Sequence, residues 1–453
     1  MNPEVFREYD VRGVVEKDLN SDFVHDLGRA IGTYAKNHGV ETMTVGRDTR
    51  LSSEEYQRFI MKGIASTGIA VTDIGLCATP ILYFSIRHLQ KGGGVMVTGS
   101  HNPPEFNGFK ICVGPDTIYG DEIQKLRTII EAGDYLTGSG NIDRVDLTKA
   151  YQDYIFDNVE VKGGLKIAVD AGNGVGGHFA LPLFDRFNCS VIPLYCDMDG
   201  NFPNHFPDPT VEANIANLIA IVKEKKLDAG IAYDGDADRI GVVTDKGDIL
   251  WGDQLLILFS RFILKENPGA VIIGEVKCSQ TLYDDIKEKG GRGIMWKAGH
   301  SLIKGKMKEE HALLAGEMSG HIFFADRYFG FDDAIYASAR LLEILSKTGK
   351  KLSDLLSGLP KTYNTPEIRI DCPDSIKFQV VERVKEYFKK GYKTIDIDGI
   401  RIQFDNGWGL VRASNTQPVL VLRFESLTRE GLNSIRGNVE KIVDDCVKEA
   451  QSR

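Results

Sequence analysis

Short apolar runs, rich in β-branched residues, alternate with segments of helical periodicity up to about residue 360. The runs stand in "TMTVGRDTR", "GGGVMVTGS", "KIAVDAGNG", "AGIAYDGDADR", "AVIIGEVKCS" and "ALLAGEMSGH". They form three pairs, and each run ends in polar or glycine-rich residues, which is where open α/β sheets place their ligands. The pattern predicts an α/β protein with three topologically similar domains.

The pattern changes near residue 366, because "TIDIDGIRIQFDNGWGLVRASNTQPVLVLRFES" alternates apolar and polar positions with period two. The pair Asn406-Gly407 predicts a hairpin turn in this stretch. A helix is predicted to follow, with one apolar face made by Leu432, Ile435, Val439 and Ile442. These features predict a smaller α+β domain. The predicted domains, packed around a central cleft, are 1–150, 151–254, 255–365 and 366–453.

Composition narrows the class of protein. A chain of 453 residues with 42% apolar content can bury a large multidomain core. The net charge of −9, with scattered basic residues, argues against nucleic-acid and membrane partners. The apolar run "LLILFSRFIL" is too short to span a bilayer and the first residues do not resemble a signal peptide, so we expect a cytoplasmic protein. Seven cysteines without a C-x-x-C pair are expected to be reduced.

The segment "YDGDADR" places Asp234, Asp236 and Asp238 at alternate positions directly after an apolar run. In an extended segment these side chains share a face, so their oxygens could converge on one hard divalent cation such as Mg²⁺. A calcium-binding EF-hand loop would need glycine at Arg239 and glutamate at Asp245, and is therefore excluded. A solvated acidic turn remains the alternative.

A single serine, Ser100, ends another apolar run in "VTGSHNPPEFNGFK". It is not the nucleophile of a G-x-S-x-G elbow, because Thr98 and Asn102 stand where that motif needs glycine. A serine that accompanies a metal-binding acidic cluster fits phosphoryl transfer better, since that chemistry depends on positioning and charge neutralisation. An ordinary turn is the alternative interpretation.

Two further loops offer polar side chains, although polar turns of such composition are common. Donors suited to the oxygens of a phosphate stand in "RASNTQP", namely Arg412, Ser414, Asn415 and Thr416. Groups suited to sugar hydroxyls stand in "GEMSGH", namely Glu317, Ser319 and His321. Neither loop is diagnostic by itself.

A competing hypothesis is a dinucleotide-binding fold. Gly172, Gly174 and Gly177 match G-x-G-x-x-G between a predicted strand and a predicted helix, and Asp197 follows at about 20 residues. The fingerprint is short, and 48 glycines make it easy to match. It also leaves the serine loop, the aspartates and the last domain unexplained.

Four loops in the order "TGSHNP", "DGDADR", "GEMSGH" and "RASNTQP" resemble the signature of the α-D-phosphohexomutase family, and most closely its phosphomannomutase/phosphoglucomutase branch. "FREYDVRG" near the start and "DGNFPNHFPDP" at 199–209 belong to the same resemblance, which covers the whole chain. It implies three similar α/β domains and a different fourth one around a central active site.

The resemblance also implies roles for individual residues. Ser100 would be the phosphoserine, and a phosphate oxygen on it would join Asp234, Asp236 and Asp238 around Mg²⁺. Positions that line the reaction centre correspond to Tyr9, Arg12, His101, Lys110 and Arg239, with Lys110 a candidate general acid or base. Positions near the substrate correspond to Lys297, His300, Glu317, Ser319 and His321. Positions that hold the unreactive phosphate correspond to Arg412, Ser414, Asn415 and Thr416.

The implied reaction interconverts hexose 1-phosphate and hexose 6-phosphate of mannose, glucose or both. Phosphoserine would phosphorylate the substrate to a glucose or mannose 1,6-bisphosphate. This intermediate would reverse its orientation in the site and return its other phosphate to the serine. One departure from the family pattern is Gln417, where glutamate is common. Three hypotheses are carried forward: a phosphohexomutase, a nucleotide-dependent oxidoreductase, and a non-catalytic sugar-phosphate or metal-binding protein. Substrate preference, including glucosamine phosphate, and oligomeric state are left open.

Overall fold

The computed structural model describes residues 1–414 and 417–451, and its strands form four sheets that follow one another along the chain. The first sheet has the order β1-β5-β4-β2-β3-β7, with β6 paired to β5. Its strands are β1 (Val11–Val14), β2 (Thr42–Arg47), β3 (Ala70–Leu76), β4 (Gly93–Val97), β5 (Phe106–Val113), β6 (Asp116–Thr117) and β7 (Ile142–Arg144). The accompanying helices are α1 (Ser21–Asn37), α2 (Ser53–Ala65), α3 (Thr79–His88), α4 (Asp121–Ala132) and α5 (Thr148–Asn158), after a short 3-10 turn at Pro3–Val5.

The second and third sheets are smaller versions of this mixed arrangement, with the orders β12-β11-β10-β8-β9 and β14-β13-β15-β16. The second contains β8 (Lys166–Asp170), β9 (Ser190–Leu194), β10 (Ala229–Tyr233), β11 (Ile240–Thr244) and β12 (Ile249–Leu250), with α6 (Gly176–Arg186), a 3-10 turn (Glu212–Ile215) and α7 (Ala216–Lys225). The third contains β13 (Val271–Glu275), β14 (Arg292–Trp296), β15 (Leu314–Gly316) and β16 (Ile322–Phe324), with α8 (Gly252–Glu266), α9 (Gln280–Glu288), α10 (His300–Glu310), α11 (Ala334–Thr348) and α12 (Leu352–Leu355).

The fourth sheet is antiparallel along the order β17-β22-β21-β20-β19, with β18 also paired to β22. Its elements are β17 (Tyr363–Asn364), β18 (Ile368–Asp371), α13 (Asp374–Phe388), β19 (Lys393–Ile395), β20 (Ile400–Phe404), β21 (Gly407–Ala413), β22 (Val419–Ser426) and α14 (Arg429–Gln451). The predicted C-terminal helix lies within α14. The hairpin turn is shifted by one residue, because Gly407 already pairs with Phe404 and leaves Asp405 and Asn406 as the turn.

The last sheet has a hydrophobic core of its own and shares a smaller apolar cluster with residues of the third unit. One continuous core joins helices of the first three sheets, through residues such as Phe84, Phe184 and Leu342. The fourth sheet has its own core around Val384, Leu422 and Val439. The predicted class, three α/β units and a smaller α+β unit, is confirmed, while the domain boundaries stay predictions.

All seven cysteines are free, as expected from their spacing. Within residues 1–414 and 417–451, the structure contains no helix that is both long and apolar enough to cross a membrane.

The site-forming loops follow strand ends for a simple topological reason. β2 and β4 run parallel, and so do β8 and β10, so the carboxyl ends of each pair meet at one sheet edge. The loop of Ser100 follows β4, and the acidic loop follows β10. The sugar-loop segment, residues 316–321, joins β15 to β16.

Candidate active site

The acidic loop after β10 brings three carboxylates together. Asp234, Asp236 and Asp238 are fully buried, and one oxygen from each lies within 4.8 Å of the others. The loop is a turn, not the extended segment that the sequence predicted, because Ala237 adopts a left-handed φ of 58°. The backbone N–H groups of Asp238 and Arg239 donate to Asp234 Oδ1, both at 3.1 Å, and hold the turn closed.

Ser100 lies against this cluster. Its hydroxyl donates a hydrogen bond to Asp234 Oδ2 at 2.9 Å, although 134 positions separate the two residues. Ser100 is 2% exposed and has a left-handed φ of 49°. Its backbone N–H donates to Thr98 Oγ1 at 2.8 Å. The structure therefore joins the serine loop of the first sheet to the acidic loop of the second.

Lys110 on β5 supplies positive charge to the acidic cluster. Its ammonium group donates to Asp236 Oδ2 at 2.7 Å and also to Asp238 Oδ2. Burial by itself would lower the pKa of Lys110, but these carboxylates raise it above the ordinary value. Thr79 Oγ1 donates to the same oxygen of Asp236 at 2.5 Å. Asp236 Oδ1 is buried without a hydrogen-bond partner, which leaves an acceptor free for a cation.

Burial and mutual repulsion act strongly on the three aspartates. Burial, followed by the charges of Asp238 and Asp236, raises the pKa of Asp234 well above its ordinary value. Three hard oxygen ligands at this spacing could hold a metal ion, since a divalent cation would offset their repulsion.

Two predicted residues lie near Ser100: His101 is its neighbour in the loop, and Arg12 contacts the loop from β1. His101 Nδ1 lies 2.9 Å from Asp208 Oδ2, so the imidazole is oriented by a carboxylate from the segment 199–209. Burial, with the positive charge of Arg239, lowers the pKa of His101 to about 4. Arg12 on β1 donates to Asn102 Oδ1 at 2.8 Å and also contacts Asp10.

The sugar loop reaches the acidic loop through His321. Its Nε2 lies 3.2 Å from Asp238 Oδ1, and its Nδ1 lies 2.7 Å from Glu317 Oε2. Burial would lower the pKa of His321, but the two carboxylates raise it to about 10. Burial would likewise raise the pKa of Glu317, but the hydrogen bond from His321 lowers it to about 2. Ser319 is half-buried, with its hydroxyl 3.5 Å from His321 Nδ1.

The segment that begins α10 faces the same region. The backbone N–H of Gly299 donates to Glu317 Oε1 at 2.7 Å. The rings of His300 and Tyr9 lie 5.7 Å apart, and Tyr9 donates its hydroxyl hydrogen to Ala298 O at 3.0 Å. Burial, with the charge of Lys304, holds the pKa of His300 well below its ordinary value. Lys297 is exposed, whereas Ala298 and His300 beside it are buried.

The predicted phosphate loop follows β21 in the fourth sheet. Arg412 donates to Asp398 Oδ2 at 3.0 Å, and the same oxygen accepts the N–H of Ala298 at 3.1 Å. Ser414 Oγ accepts the N–H of Gln417 at 3.1 Å. The amide oxygen of Gln417 accepts a hydrogen bond from Arg369 at 2.8 Å. The predicted residues Asn415 and Thr416 lie outside the described residues.

Sequence reasoning missed two groups beside the sugar loop. Lys277, which follows β13, pairs with Glu275 at 3.4 Å and with Glu367 at 3.2 Å. Glu275 Oε1 also accepts the N–H of Met318 at 3.1 Å. No spacing rule marks these residues, because each acts through a contact with a distant segment. In the sequence, "EVKCS" is marked only by the apolar run that precedes it.

The glycine motif of the competing hypothesis has a packing role. A side chain on Gly172 would meet Pro207 at 2.9 Å, one on Gly174 would meet Gly235 at 2.7 Å, and one on Gly177 would meet Cys196 at 2.7 Å. Gly235 therefore lies against Gly174, the second glycine of the motif, at the position where a dinucleotide-binding loop approaches the pyrophosphate.

Comparison with known families accounts for all four sheets. Four domain descriptions of phosphoglucomutase/phosphomannomutase match in order: α/β/α domain I at 3–137, domain II at 149–247, domain III at 251–363, and the C-terminal domain at 367–442. The chain belongs to the phosphoglucomutase/phosphomannomutase family. The predicted family and enzyme class, a phosphohexomutase, are thereby confirmed.

Individual members of the family are similar over nearly the whole chain. A phosphomannomutase/phosphoglucomutase of Pseudomonas aeruginosa is 48% identical over 433 residues, which cover 95% of this chain and 94% of that protein. A phosphoglucomutase of Neisseria gonorrhoeae is 46% identical, with 97% of each chain covered. The crystal structure of a phosphoglucomutase/phosphomannomutase family protein from Burkholderia thailandensis superposes with a TM-score of 0.93 at 40% identity, over 98% of both chains.

Proposed function

We propose that this phosphohexomutase interconverts the 1-phosphates and 6-phosphates of glucose and mannose through a phosphoserine at Ser100 and a hexose 1,6-bisphosphate. The observation that carries the proposal is the 2.9 Å hydrogen bond from Ser100 Oγ to Asp234 Oδ2. It holds the hydroxyl of one sheet against the acidic cluster of another. Phosphoryl transfer needs the reacting oxygen beside a charge-neutralising centre, which a cation held by this cluster would provide.

The acidic cluster has the chemistry of a magnesium site. Asp234, Asp236 and Asp238 are hard oxygen ligands, and the buried, unpartnered Oδ1 of Asp236 supports the fit. These three residues would hold the ion together with a phosphate oxygen on Ser100. Bound there, Mg²⁺ would neutralise charge on the phosphoryl oxygens as a Lewis acid.

Basic side chains around Ser100 would neutralise the remaining charge of the transferring group. Lys110 donates to Asp236 of the acidic loop, and Arg12 donates to Asn102. The guanidinium Nε of Arg239 lies 3.3 Å from His321 Nε2. The imidazole of His101 is fixed by Asp208 next to the serine. Fixed positive groups of this kind stabilise a phosphoryl transition state because they need no reorganisation during the reaction.

Recognition of the sugar would come from the third sheet and recognition of the unreactive phosphate from the fourth. Each oxygen of Glu317 already accepts one hydrogen bond, from Gly299 or His321, and keeps a further lone pair for a sugar hydroxyl. Arg412 is held by Asp398 near the same segment. Movement of the fourth domain onto the substrate would exclude water and so suppress hydrolysis of the phosphoserine.

A direct assay tests this function. The purified enzyme is incubated with Mg²⁺, a trace of glucose 1,6-bisphosphate, and the 1-phosphate of glucose, mannose or glucosamine in parallel reactions. We expect the 6-phosphates of glucose and mannose to form at a rate that NAD(P) does not change. Absence of both products would reject the proposal, and the glucosamine reaction would set the breadth of substrate choice.

Replacement of Glu317 by alanine is expected to impair both sugars to the same extent. Glucose and mannose differ only at C2, and the proposed contacts of Glu317 and Ser319 are to the hydroxyls at C3 and C4. Loss of a hydrogen bond to a charged group costs about 1.5–3 kcal/mol, which corresponds to a decrease in kcat/KM on the order of 10- to 100-fold. Steady-state kinetics on both substrates measures it.

The variant Glu317→Gln is the matched control, because it keeps the acceptor that Gly299 N–H uses but removes the charge that His321 faces. It should fall between the wild type and Glu317→Ala for both sugars. A loss confined to one sugar in either variant would show instead that residue 317 distinguishes the configuration at C2.

A further inference from the structure

Arg50 is a buried arginine to which the proposed mechanism gives no role. It stands in the loop between β2 and α2, at the end of "TMTVGRDTR", and is 2% exposed. A buried guanidinium is costly unless its donors are satisfied. The hydrogen-bond partners of Arg50 therefore indicate its structural role.

Those partners are all backbone carbonyls of the serine loop. Nη1 donates to Pro103 O at 2.6 Å and to Phe106 O at 2.8 Å. Nη2 donates to Ser100 O at 2.8 Å and to Asn102 O at 2.5 Å. One planar group thus collects four carbonyl oxygens from residues 100–106. These oxygens would repel one another without the positive charge between them.

The loop needs this support because its backbone is strained at the reacting residue. Ser100 has a φ of 49°, a region that a residue with a Cβ occupies at a cost of about 1–2 kcal/mol. That conformation places the carbonyl of Ser100 on Arg50 while its hydroxyl lies on Asp234. Relaxation of the backbone at residue 100 would move both groups.

Arg50 is itself held from two sides. Asp48 pairs with its Nε at 3.3 Å, and Asp48 Oδ2 also accepts the hydroxyl of Thr98 at 2.8 Å. The segment 199–209, which follows β9, packs against it, with the ring of Phe202 centred 5.0 Å from Arg50 Cζ. A side chain on Gly200 would meet Arg50 Cα at 2.9 Å. This packing gives the segment "DGNFPNHFPDP" a structural purpose besides the contact of Asp208 with His101.

We propose that Arg50 is the positioning residue that holds Ser100 in its left-handed conformation, with Oγ aimed at the acidic cluster. The inference rests on the proposed role of Ser100 as phosphoryl carrier. Arg50 acts through the loop carbonyls that its guanidinium contacts. Its loss should therefore slow phosphoryl transfer while substrate affinity is retained.

The test compares wild type with Arg50→Lys, which keeps the charge but lacks the planar fork that collects four carbonyls. Two rates are measured: phosphorylation of the enzyme by glucose 1,6-bisphosphate, followed by intact mass, and turnover of glucose 1-phosphate. Since a misplacement of about 1 Å can cost about 100-fold, we expect both rates to fall by about that factor while KM changes by less than about threefold. Arg47→Lys is the matched control, because Arg47 pairs with exposed Glu54, and it should behave like wild type.

Chemical rescue separates positioning from a general loss of stability. Guanidinium chloride, far below denaturing concentrations, should restore part of the turnover of Arg50→Ala, whereas equal sodium chloride should not. Gly99→Ala covers the case in which Arg50 variants do not fold. Its new methyl group would lie 2.6 Å from Arg50 Cζ, so the guanidinium must shift, and kcat should fall with KM little changed.

The outcomes distinguish this inference from the proposed function. If Arg50→Lys and Gly99→Ala become phosphorylated at Ser100 as fast as wild type, Arg50 does not position the serine. Equal loss in kcat and affinity without guanidinium rescue would also overturn the inference. If wild type itself carries no phosphoryl group on Ser100, the proposed function fails first.

Discussion

Ser100→Ala is expected to lose mutase turnover by several orders of magnitude while it keeps its fold and its affinity for substrate. Only the hydroxyl group is removed. The phosphoryl group that the enzyme is proposed to donate then has no site of attachment. The change deletes one hydrogen bond, to Asp234, which costs about 1 kcal/mol of stability. Alanine and serine tolerate the left-handed backbone about equally, so the melting temperature should decrease only slightly.

Mass spectrometry identifies the phosphorylated residue. After incubation with glucose 1,6-bisphosphate, the wild type should gain one phosphoryl group, which peptide mapping should place on Ser100, and the variant should gain none. Ser139→Ala, at an exposed loop serine, is the control and should match the wild type. Phosphate at another residue, or brisk turnover by the alanine variant, would refute the role of Ser100.

Simultaneous replacement of Asp234, Asp236 and Asp238 by asparagine should abolish activity at every Mg²⁺ concentration. Loss of a metal Lewis acid raises a phosphoryl-transfer barrier by several kcal/mol, and about 4 kcal/mol already corresponds to roughly a thousandfold decrease in rate. The fold should survive, because asparagine has the same size and its carbonyl oxygen can accept the loop N–H groups. Its thermal stability should fall, because buried Lys110 loses both of its counter-charges. Activity assays across a Mg²⁺ titration, with thermal unfolding, measure both effects.

A surface variant with the same change of charge provides the comparison. Asp157, Asp444 and Asp445 are exposed, and their replacement by asparagine should leave the Mg²⁺ dependence of turnover as in the wild type. Near-normal turnover by the variant of the acidic loop would reject the metal site. Single Asp236→Asn adds a finer test, since it alters the residue with an unpartnered buried oxygen.

Local patterns in the sequence were sufficient to predict the fold class and the loops that meet. Strand-length runs followed by polar turns placed Ser100 and Asp234 at sheet edges, and the order of four loops indicated the family. The period-two argument for the acidic loop was wrong in its geometry, because a left-handed Ala237 converts the segment into a turn. The three carboxylates nevertheless converge, since a turn can also bring alternate side chains together.

The supporting residues could not be predicted in the same way. Arg50 contacts backbone carbonyls, and a carbonyl carries no signal in the sequence. Asp208 lies in "DGNFPNHFPDP", which belongs to the family resemblance, but its partner His101 lies 107 positions away. Lys277 reaches Glu367 beside the fourth sheet, and Glu275 accepts the N–H of Met318, which is 43 positions away. Such partners follow from the packing of domains, which no local spacing encodes.

The hydrogen bond between Ser100 and Asp234 has a consequence for the order in which parts of the site form during synthesis. Its partners are 134 positions apart, and the bond from Tyr9 to Ala298 spans 289. Closing such long loops is entropically unfavourable until the domains that carry the partners have folded. During synthesis the serine loop therefore emerges from the ribosome well before its acidic partner. A nascent chain that stops short of residue 234 contains Ser100, the proposed phosphoryl carrier, without the acidic cluster that the hydroxyl contacts in the folded protein.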